Sequence, residues 1–494
     1  MKKYTLLKSG ISLLLVLLML VSAVACKKNK GDENVNSNDQ ATNEEADGYV
    51  KDGVPDDYNL DGREIRILCR AGEMRQYDVD GGGELLGDVV HEAVFNRNEK
   101  VAKRLNCTFT ITEMEGDWKT FGDTMEVQLT TGDDLWDIVN VQGNASLSRS
   151  RDYLFASLEE STWLDFEREW WNYEAMKEIS TDGTGIRFLV GDISLSMHQY
   201  SGAMFFNKRL LMSNGVNPNE LYKTVIDRQW TYEKLGEMAA DLCSDENGDG
   251  TIADGDIYGL AIFSSEDLKY LEYGMDVRRY TRGEDGVPVM DYDQYRAQTG
   301  VEAILKLVNT EGVEYFNTGR DFKLFTSGRS VFLSAYLGAA SYGMFRSMQD
   351  AYGIVPIPML DGQQKEYINY IHDSASFFAV PVTCMDTEPI GAVLEVLCAE
   401  SYRSVVPIYF ETAMKAKYSK DSESGQCIDI IRAVSKKDYL TEHNTIYNNR
   451  GCAFLISRQV LNGQNSFSSD YEKDVDQVNL TIRETIEKLK DLQK

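Results

Sequence analysis

From residue 245 the sequence reads Asp245-Glu246-Asn247-Gly248-Asp249-Gly250-Thr251, with Asp256 at the twelfth position. An EF-hand-type calcium loop uses this pattern, because a hard cation draws roughly six to eight oxygens from a short, sharply turned chain. The spacing predicts a structural calcium held by the side chains of Asp245, Asn247, Asp249 and Asp256 and the backbone carbonyl of Thr251, with Gly250 at the turn. A solvated acidic turn uses the same residues and remains the alternative. A second set is aromatic. Sugar rings present C–H faces that pack on flat side chains, and their hydroxyls need polar partners in the same plane. Trp170-Trp171-Asn172-Tyr173 holds both kinds of group, so Trp171 and Tyr173 are candidate ligand-binding residues, with core anchoring as the other use. Asp373, beside His372, can accept hydroxyl bonds.

No residue is assigned a catalytic role, and no catalytic cofactor is expected. GxSxG, HExxH and GxGxxG are absent, and Gly81-Gly82-Gly83 has Leu86 where a third glycine would fall in register. The chain has four histidines, none at ligand spacing from another. Acid pairs such as Asp133-Asp134 read as solvated surface in so acidic a chain.

A chain of 494 residues exceeds what one core usually supports, so two lobes or domains are expected to position these groups. The formal net charge of -28 excludes a nucleic-acid partner, which would need clustered Lys and Arg. Cysteines 69, 107, 243, 384, 398, 427 and 452 form no CxxC and are widely spaced, which suits buried free thiols rather than a disulfide framework or a zinc site. Strand-like runs at 64–69, 135–141, 186–190, 258–263, 331–334, 352–357 and 377–381 alternate with helical stretches at 89–105, 232–242, 301–309 and 390–406. A last helix carries Val475, Val478, Ile482, Ile486 and Leu489 at steps of three and four. The alternation predicts an α/β fold with mainly parallel sheets. Thr231 after Trp230 is an N-cap candidate, and Pro356, Pro358 and Pro381 mark strands that end or run at a sheet edge.

At the amino terminus Lys2, Lys3 and Lys8 precede an apolar run at 11–21 and the small residues Ser22, Ala23 and Ala25, the order of a secretory signal, here 1–25. Ala23-Val24-Ala25-Cys26 resembles the lipobox of bacterial lipoproteins, with Ala23 where leucine is usual. The resemblance implies a chain lipidated at Cys26 and anchored to the membrane at its extracytoplasmic face. The polar stretch that follows cannot bury enough surface to fold, so 26–58 is expected to be a lipidated, disordered tether.

Five stretches, in order, resemble the extracellular solute-binding proteins of family 1, the group that includes maltose-binding protein. They are Leu135-Trp136-Asp137-Ile138-Val139, Ala203-Met204-Phe205-Phe206-Asn207-Lys208, Gln229-Trp230-Thr231, Tyr352-Gly353-Ile354-Val355-Pro356-Ile357-Pro358 and Phe377-Phe378-Ala379-Val380-Pro381. The resemblance implies a two-lobed periplasmic-binding-protein-like fold of type II, with a ligand cleft at a hinge. Lobe 1 would comprise 59–165 and 328–382, and lobe 2 would comprise 166–327 and 383–494. It puts Gln142 and Asn144 in a ligand-facing loop, Tyr200 and Tyr336 in cleft loops, and Asp373 just ahead of the crossover strand. The implied function is capture of a carbohydrate, an oligosaccharide, for an ABC-type importer by lobe closure, with the permease transmembrane subunits as partners. A peptide or other polar solute on the same fold, or a surface glycan-active enzyme or adhesin, stays open as an alternative.

Overall fold

The computed structural model describes residues 50–492 apart from 73–74, 84–86, 148–150, 182–184, 317–321, 412–413, 415–421 and 444–451. The expected signal at 1–25, the expected lipidation at Cys26 and most of the tether lie outside the described residues. Among those described, no helix is long and apolar enough to cross a membrane.

In chain order the strands are β1 (Arg63–Arg70), β2 (Cys107–Met114), β3 (Ile138–Gln142), β4 (Gly202–Asn207), β5 (Tyr258–Ile262), β6 (Tyr280–Arg282), β7 (Pro288–Met290), β8 (Val313–Tyr315), β9 (Ser330–Tyr336), β10 (Tyr352–Val355), β11 (Asn369–Tyr370), β12 (Ser376–Ala379) and β13 (Ser435–Lys436). Two sheets centre two α/β lobes. The first has the order β12-β3-β1-β2, and the second β10-β4-β9-β5-β8. β1 runs parallel to both β2 and β3, and β12 closes that sheet antiparallel. β5 is parallel to β8 and β9, whereas β4 lies antiparallel between β9 and β10.

Parallel neighbours need crossovers, and helices supply them. Val89–Leu105 links β1 to β2 and buries Val90, Val94, Val101 and Leu105. Asp88 caps it by accepting from the amides of Val90 and His91, and Asn106 ends it in the left-handed region. Tyr232–Leu242 starts at Thr231, whose side chain accepts from the Lys234 amide. Trp230, fully buried, donates its indole N–H to the Pro356 carbonyl at 3.0 Å. β10 ends one residue before Pro356 at the edge of its sheet, and β12 at the edge of the other precedes Pro381.

Several expectations change. β9 and β10 fall within 328–382, expected in lobe 1, yet both hydrogen-bond in the second sheet, and only β12 returns to the first. All seven residues of β9 are buried between two neighbouring strands, so its sequence has no alternation to show which sheet it joins. The carboxy-terminal part is likewise divided. Helix Thr387–Glu400 packs on Val89–Leu105 beside the first sheet, while Ser422–Val434 packs on β10 and Phe467–Leu492 on Gln294–Val308. The strand expected at 186–190 is a single bridge between Leu189 and Phe378. β2 and helix Trp118–Thr130 were not anticipated, although Phe109 and Ile111 do alternate with threonines.

The route between lobes is fixed by a buried carboxylate. Asp78 accepts from the Ser196 amide at 2.8 Å, from the Ser196 hydroxyl at 2.7 Å, and from the Ser376 hydroxyl on β12. Burial lifts its carboxyl above the ordinary range despite those bonds. Arg97, 2% exposed, donates to the Asp78 and Val79 carbonyls behind it.

At the entry to β3, Asp137 (1% exposed) accepts from the Arg66 backbone amide at 2.8 Å and side-chain Nε at 2.9 Å, and from Nη2 at 2.8 Å. Burial pushes this carboxyl up, but the bonds and charge of Arg66 outweigh it and hold it below the usual range. Asp137→Ala leaves Arg66 without that partner and is expected to cost roughly 3 kcal/mol in urea unfolding. Because the folded carboxyl is depressed, the stability that Asp137 supplies is present above its unfolded value and lost as pH falls through the folded one. Unfolding curves of the two proteins that stay parallel at neutral pH and fail to converge in acid would reject this account.

Candidate ligand-binding site

A cavity of about 700 Å³ opens beside the segment that carries the paired tryptophans. Asn172 accepts from the Ala175 amide at 3.0 Å and so caps helix Tyr173–Ile179, which fixes Tyr173 at the first helical position. The Tyr173 ring stacks on Phe166 at 5.7 Å, and Lys177 Nζ lies 4.6 Å from its centroid. Trp171 pairs through its backbone with Gly191. A Cβ at Gly191 would sit 2.4 Å from the Trp170 carbonyl oxygen and 2.8 Å from the Trp171 ring, so only glycine lets the chains approach this closely.

Trp171 is 6% exposed and donates its indole N–H to Glu395 Oε2 at 2.7 Å. It is therefore both a core anchor and part of the cavity lining. Glu395 has no exposed surface, and burial lifts its carboxyl to about 7, against the opposing effect of the Trp171 hydrogen bond.

Polar groups from separated segments complete the lining. Asp192 Oδ1 lies 3.0 Å from His198 Nε2, and Asp192 Oδ2 lies 3.9 Å from the Arg432 guanidinium. That second oxygen has no hydrogen-bond partner among the described residues. Ser201 and Ile371, joined by a backbone bridge, line the cavity as well. Flat rings beside a carboxylate, an imidazole and a guanidinium suit a ligand with apolar faces and in-plane hydroxyls. Asp192, His198 and Arg432 carry no signal in the sequence, because each is an ordinary polar residue until the fold groups them.

The other candidates lie elsewhere. Tyr200 and Tyr336 come together, with ring centroids 5.3 Å apart, and Tyr200 also lies 6.1 Å from His372. Tyr336 is 6% exposed within the main core, and its hydroxyl meets that of Tyr342 at 2.6 Å. Asp373 Oδ1 lies 3.0 Å from His372 Nδ1, while His372 Nε2 lies 2.7 Å from Glu266. Burial would raise Glu266, but the His372 hydrogen bond and the Lys269 charge hold it well below the carboxylate range. Tyr200 and His372 immediately flank the Ser201–Ile371 bridge, so this cluster lies just behind the cavity lining. Gln142 ends β3, is 4% exposed, and donates Nε2 to the Ser374 carbonyl at 3.0 Å. Asn144 lies in the short helix Gly143–Ser146, and its side chain is outside the described residues.

The acidic loop closes on itself. Asp245 accepts from the Gly248 and Gly250 amides at 2.7 Å, Asp249 accepts from Thr251 at 3.0 Å, and Asn247 accepts from Asp249 at 2.8 Å. Asp256, fully buried, accepts from Glu246 at 3.0 Å and Ala253 at 2.9 Å. Among the described residues no group of three or more His, Cys, Asp or Glu side chains is placed to hold a metal ion. The Asp245, Asp249 and Asp256 carboxylates each accept hydrogen bonds from amides of this same loop.

No protein-family model matches the sequence, and no curated protein matches it. Solved structures do match. A sugar transporter from Rhizobium etli in an open conformation is 14% identical, with a TM-score of 0.57 over 85% of this chain and 99% of that one. A cyclic α-maltosyl-1,6-maltose binding protein from Arthrobacter globiformis is 12% identical, with a TM-score of 0.55 over 86% and 100%. An ABC substrate-binding protein from Listeria monocytogenes, in complex with cycloalternan, is 15% identical, with a TM-score of 0.52 over 85% and 99%. At such identities the likeness is one of fold: this chain has the two-lobed α/β architecture of ABC-transporter solute-binding proteins.

Two outcomes test the site. The folded Glu395 value lies above the unfolded one near 4.5, so its contribution to stability is fully present below that pH and is lost as pH rises through about 7. Glu395→Gln is expected to flatten that part of the stability curve and remove a step in tryptophan emission near neutrality; an emission titration identical to wild type would disprove the coupling. In the acidic loop, Asp256→Ala is expected to cost roughly 1–2 kcal/mol, whether or not calcium is added. A melting temperature that calcium raises in wild type and not in the variant would instead make the loop a cation site.

Proposed function

We propose that the protein captures a carbohydrate, an oligosaccharide, for an ABC-type importer by closing its lobes on the solute. The observation that carries this reading is the 700 Å³ cavity, where Trp171 and Tyr173 lie in one lining with Asp192, His198 and Arg432. Its size is in the range of small-molecule sites, roughly 300–1,000 Å³. The sugar-binding neighbours of the same fold support it. In this reading Trp171 and Tyr173 stack on sugar faces, Asp192 and Arg432 take hydroxyls, and Tyr200, His372 and Asp373 back the wall behind Ser201 and Ile371. Closure is stabilised only by contacts that the ligand makes better in the closed state. A lipid on Cys26 would hold the protein at the extracytoplasmic face of the membrane, and the permease transmembrane subunits would receive the loaded form. The protein acts here as a binding protein and not as an enzyme.

A thermal-shift screen of the chain from residue 27 onward, against a glycan and a peptide panel, tests the proposal. A ligand at about 100 times its dissociation constant adds roughly 2.7 kcal/mol. Tyr173→Ala, on the rim, is expected to weaken the best glycan about tenfold, the order of one lost aromatic contact. Stabilisation by peptides alone would overturn the carbohydrate reading, and glycan turnover in the same wells would replace it with an enzyme.

A further inference from the structure

A second cavity, of about 360 Å³, is lined by Glu178, Tyr273, Asp276, Arg278, Arg279, Tyr280, Arg282, Lys436 and Asp438 among others. It adjoins the first along the chain, since Lys177 and Ser435 line one cavity and Glu178 and Lys436 the other. Its centre of interest is Arg279. The residue is 5% exposed, its Nη1 donates to Asp438 Oδ2 at 3.1 Å, and its guanidinium carbon lies 4.2 Å from the Tyr273 ring centroid. The face of the guanidinium is covered by that ring, and one of its nitrogens is paired with a carboxylate. Nε and Nη2 have no hydrogen-bond partner among the described residues.

Nε–H and one Nη2–H lie on the same edge of the guanidinium and point in parallel, the spacing that matches two oxygens of a carboxylate, sulfate or phosphate. Leaving two donors of a buried cation unmade is costly, and ordinary packing removes such vacancies. The surroundings are also unusual for a chain of net charge -28. Arg282 spends Nη1 on the Gly286 carbonyl and Nη2 on those of Lys177, Glu178 and Ser180, so its charge meets dipoles there and not carboxylates. Lys436 adds an exposed ammonium. Of the acids lining the cavity, Asp438 accepts from Arg279 and from the Thr441 amide and Glu178 accepts from the Tyr280 hydroxyl, while Asp276 also lines it; among the basic groups, Arg278 is paired with Asp291 outside the lining at 3.1 Å.

We infer that this cavity is an oxyanion site, in which the Nε and Nη2 edge of Arg279 takes two oxygens of a carboxylate, sulfate or phosphate group and Arg282 and Lys436 supply the attracting field. On the carbohydrate reading the group belongs to an acidic sugar, so that reading is deepened here, but the oxyanion chemistry stands without it.

Calorimetric titrations at low ionic strength with sodium glucuronate, inorganic sulfate, inorganic phosphate and neutral glucose test the inference on the chain from residue 27 onward. Saturable binding of at least one anion, and not of glucose, is expected. Arg279→Lys keeps the charge but loses the fork, and is expected to weaken the anion about tenfold or more. Lys436→Ser, at an exposed side chain, is expected to weaken it about two- to fivefold and to reduce its salt dependence. Tighter glucuronate identifies a sugar carboxylate and tighter sulfate or phosphate identifies an ester, and both outcomes support the site. Absence of saturable binding by all three anions, or an affinity that neither substitution changes, would overturn it. Because the probes are single small anions, that failure is separate from any failure of the neutral glycan panel.

Discussion

Asp78 has no contact with water, and its two oxygens take hydrogen bonds from Ser196 and from Ser376. Three parts of the chain meet at that carboxylate: the short π-helix Arg75–Val79 after β1, the short helix Leu195–Gln199 ahead of β4, and the crossover strand β12. A buried acid of this kind is tolerated only when its hydrogen bonds are made, and here they can be made in one arrangement of those three segments. Ser376 belongs to β12, which lies beside β3, and Ser196 precedes β4, which leads into the second lobe, so the carboxylate ties the two together. Arg97 closes the node from the other side through the Asp78 and Val79 carbonyls, and burial holds that guanidinium down to about 10.

The same constraint sets the cavity. The segment 166–201 runs between the sheets, and its position is fixed at one end by the Trp171–Gly191 and Leu189–Phe378 bridges and at the other by Ser201–Ile371. Trp171 is pinned on the far side by Glu395, whose helix packs on the first lobe. The ring that would meet a ligand is thus tied to the core of one lobe, while Ser201 begins the second lobe and Ser435 and Arg432 come from the carboxy-terminal region. A wall built in this way would change shape if the lobes moved, and on the proposed reading that would couple solute contacts to closure.

Much of the architecture was legible in the chain. Helices 89–105 and 232–242 were bounded by residues whose chemistry is local: Asp88 and Thr231 cap through their own side chains, and the apolar stripe needs only the helical period. The thiols were legible in part: Cys69, Cys107, Cys384, Cys398 and Cys427 are free and buried, whereas Cys243 is only half-buried. Sheet membership was not. β9 and β10 are buried throughout, and a strand of that kind carries no mark of its partner. Among the site residues, Trp171 and Tyr173 could be named because an aromatic pair beside asparagine is visible in four residues. Asp192, His198, Arg432 and Arg279 could not, because their surroundings arise from distances between segments far apart in sequence.

By itself the sequence determined the α/β character and the capped helices, and it carried the order of stretches that resembles a two-lobed binding fold. The α/β character and the capped helices follow from period and local capping, which act within a few residues, whereas the two-lobed order came from the resemblance of five short stretches. Only the tertiary structure decided which sheet received β9, that Tyr336 lies in the core, that the acidic loop spends its carboxylates on its own amides, and that one edge of Arg279 is left without an acceptor among the described residues. Each of these depends on which atoms burial brings within about 3 Å, and a hydrogen bond or a vacancy at that range is a property of the packed chain.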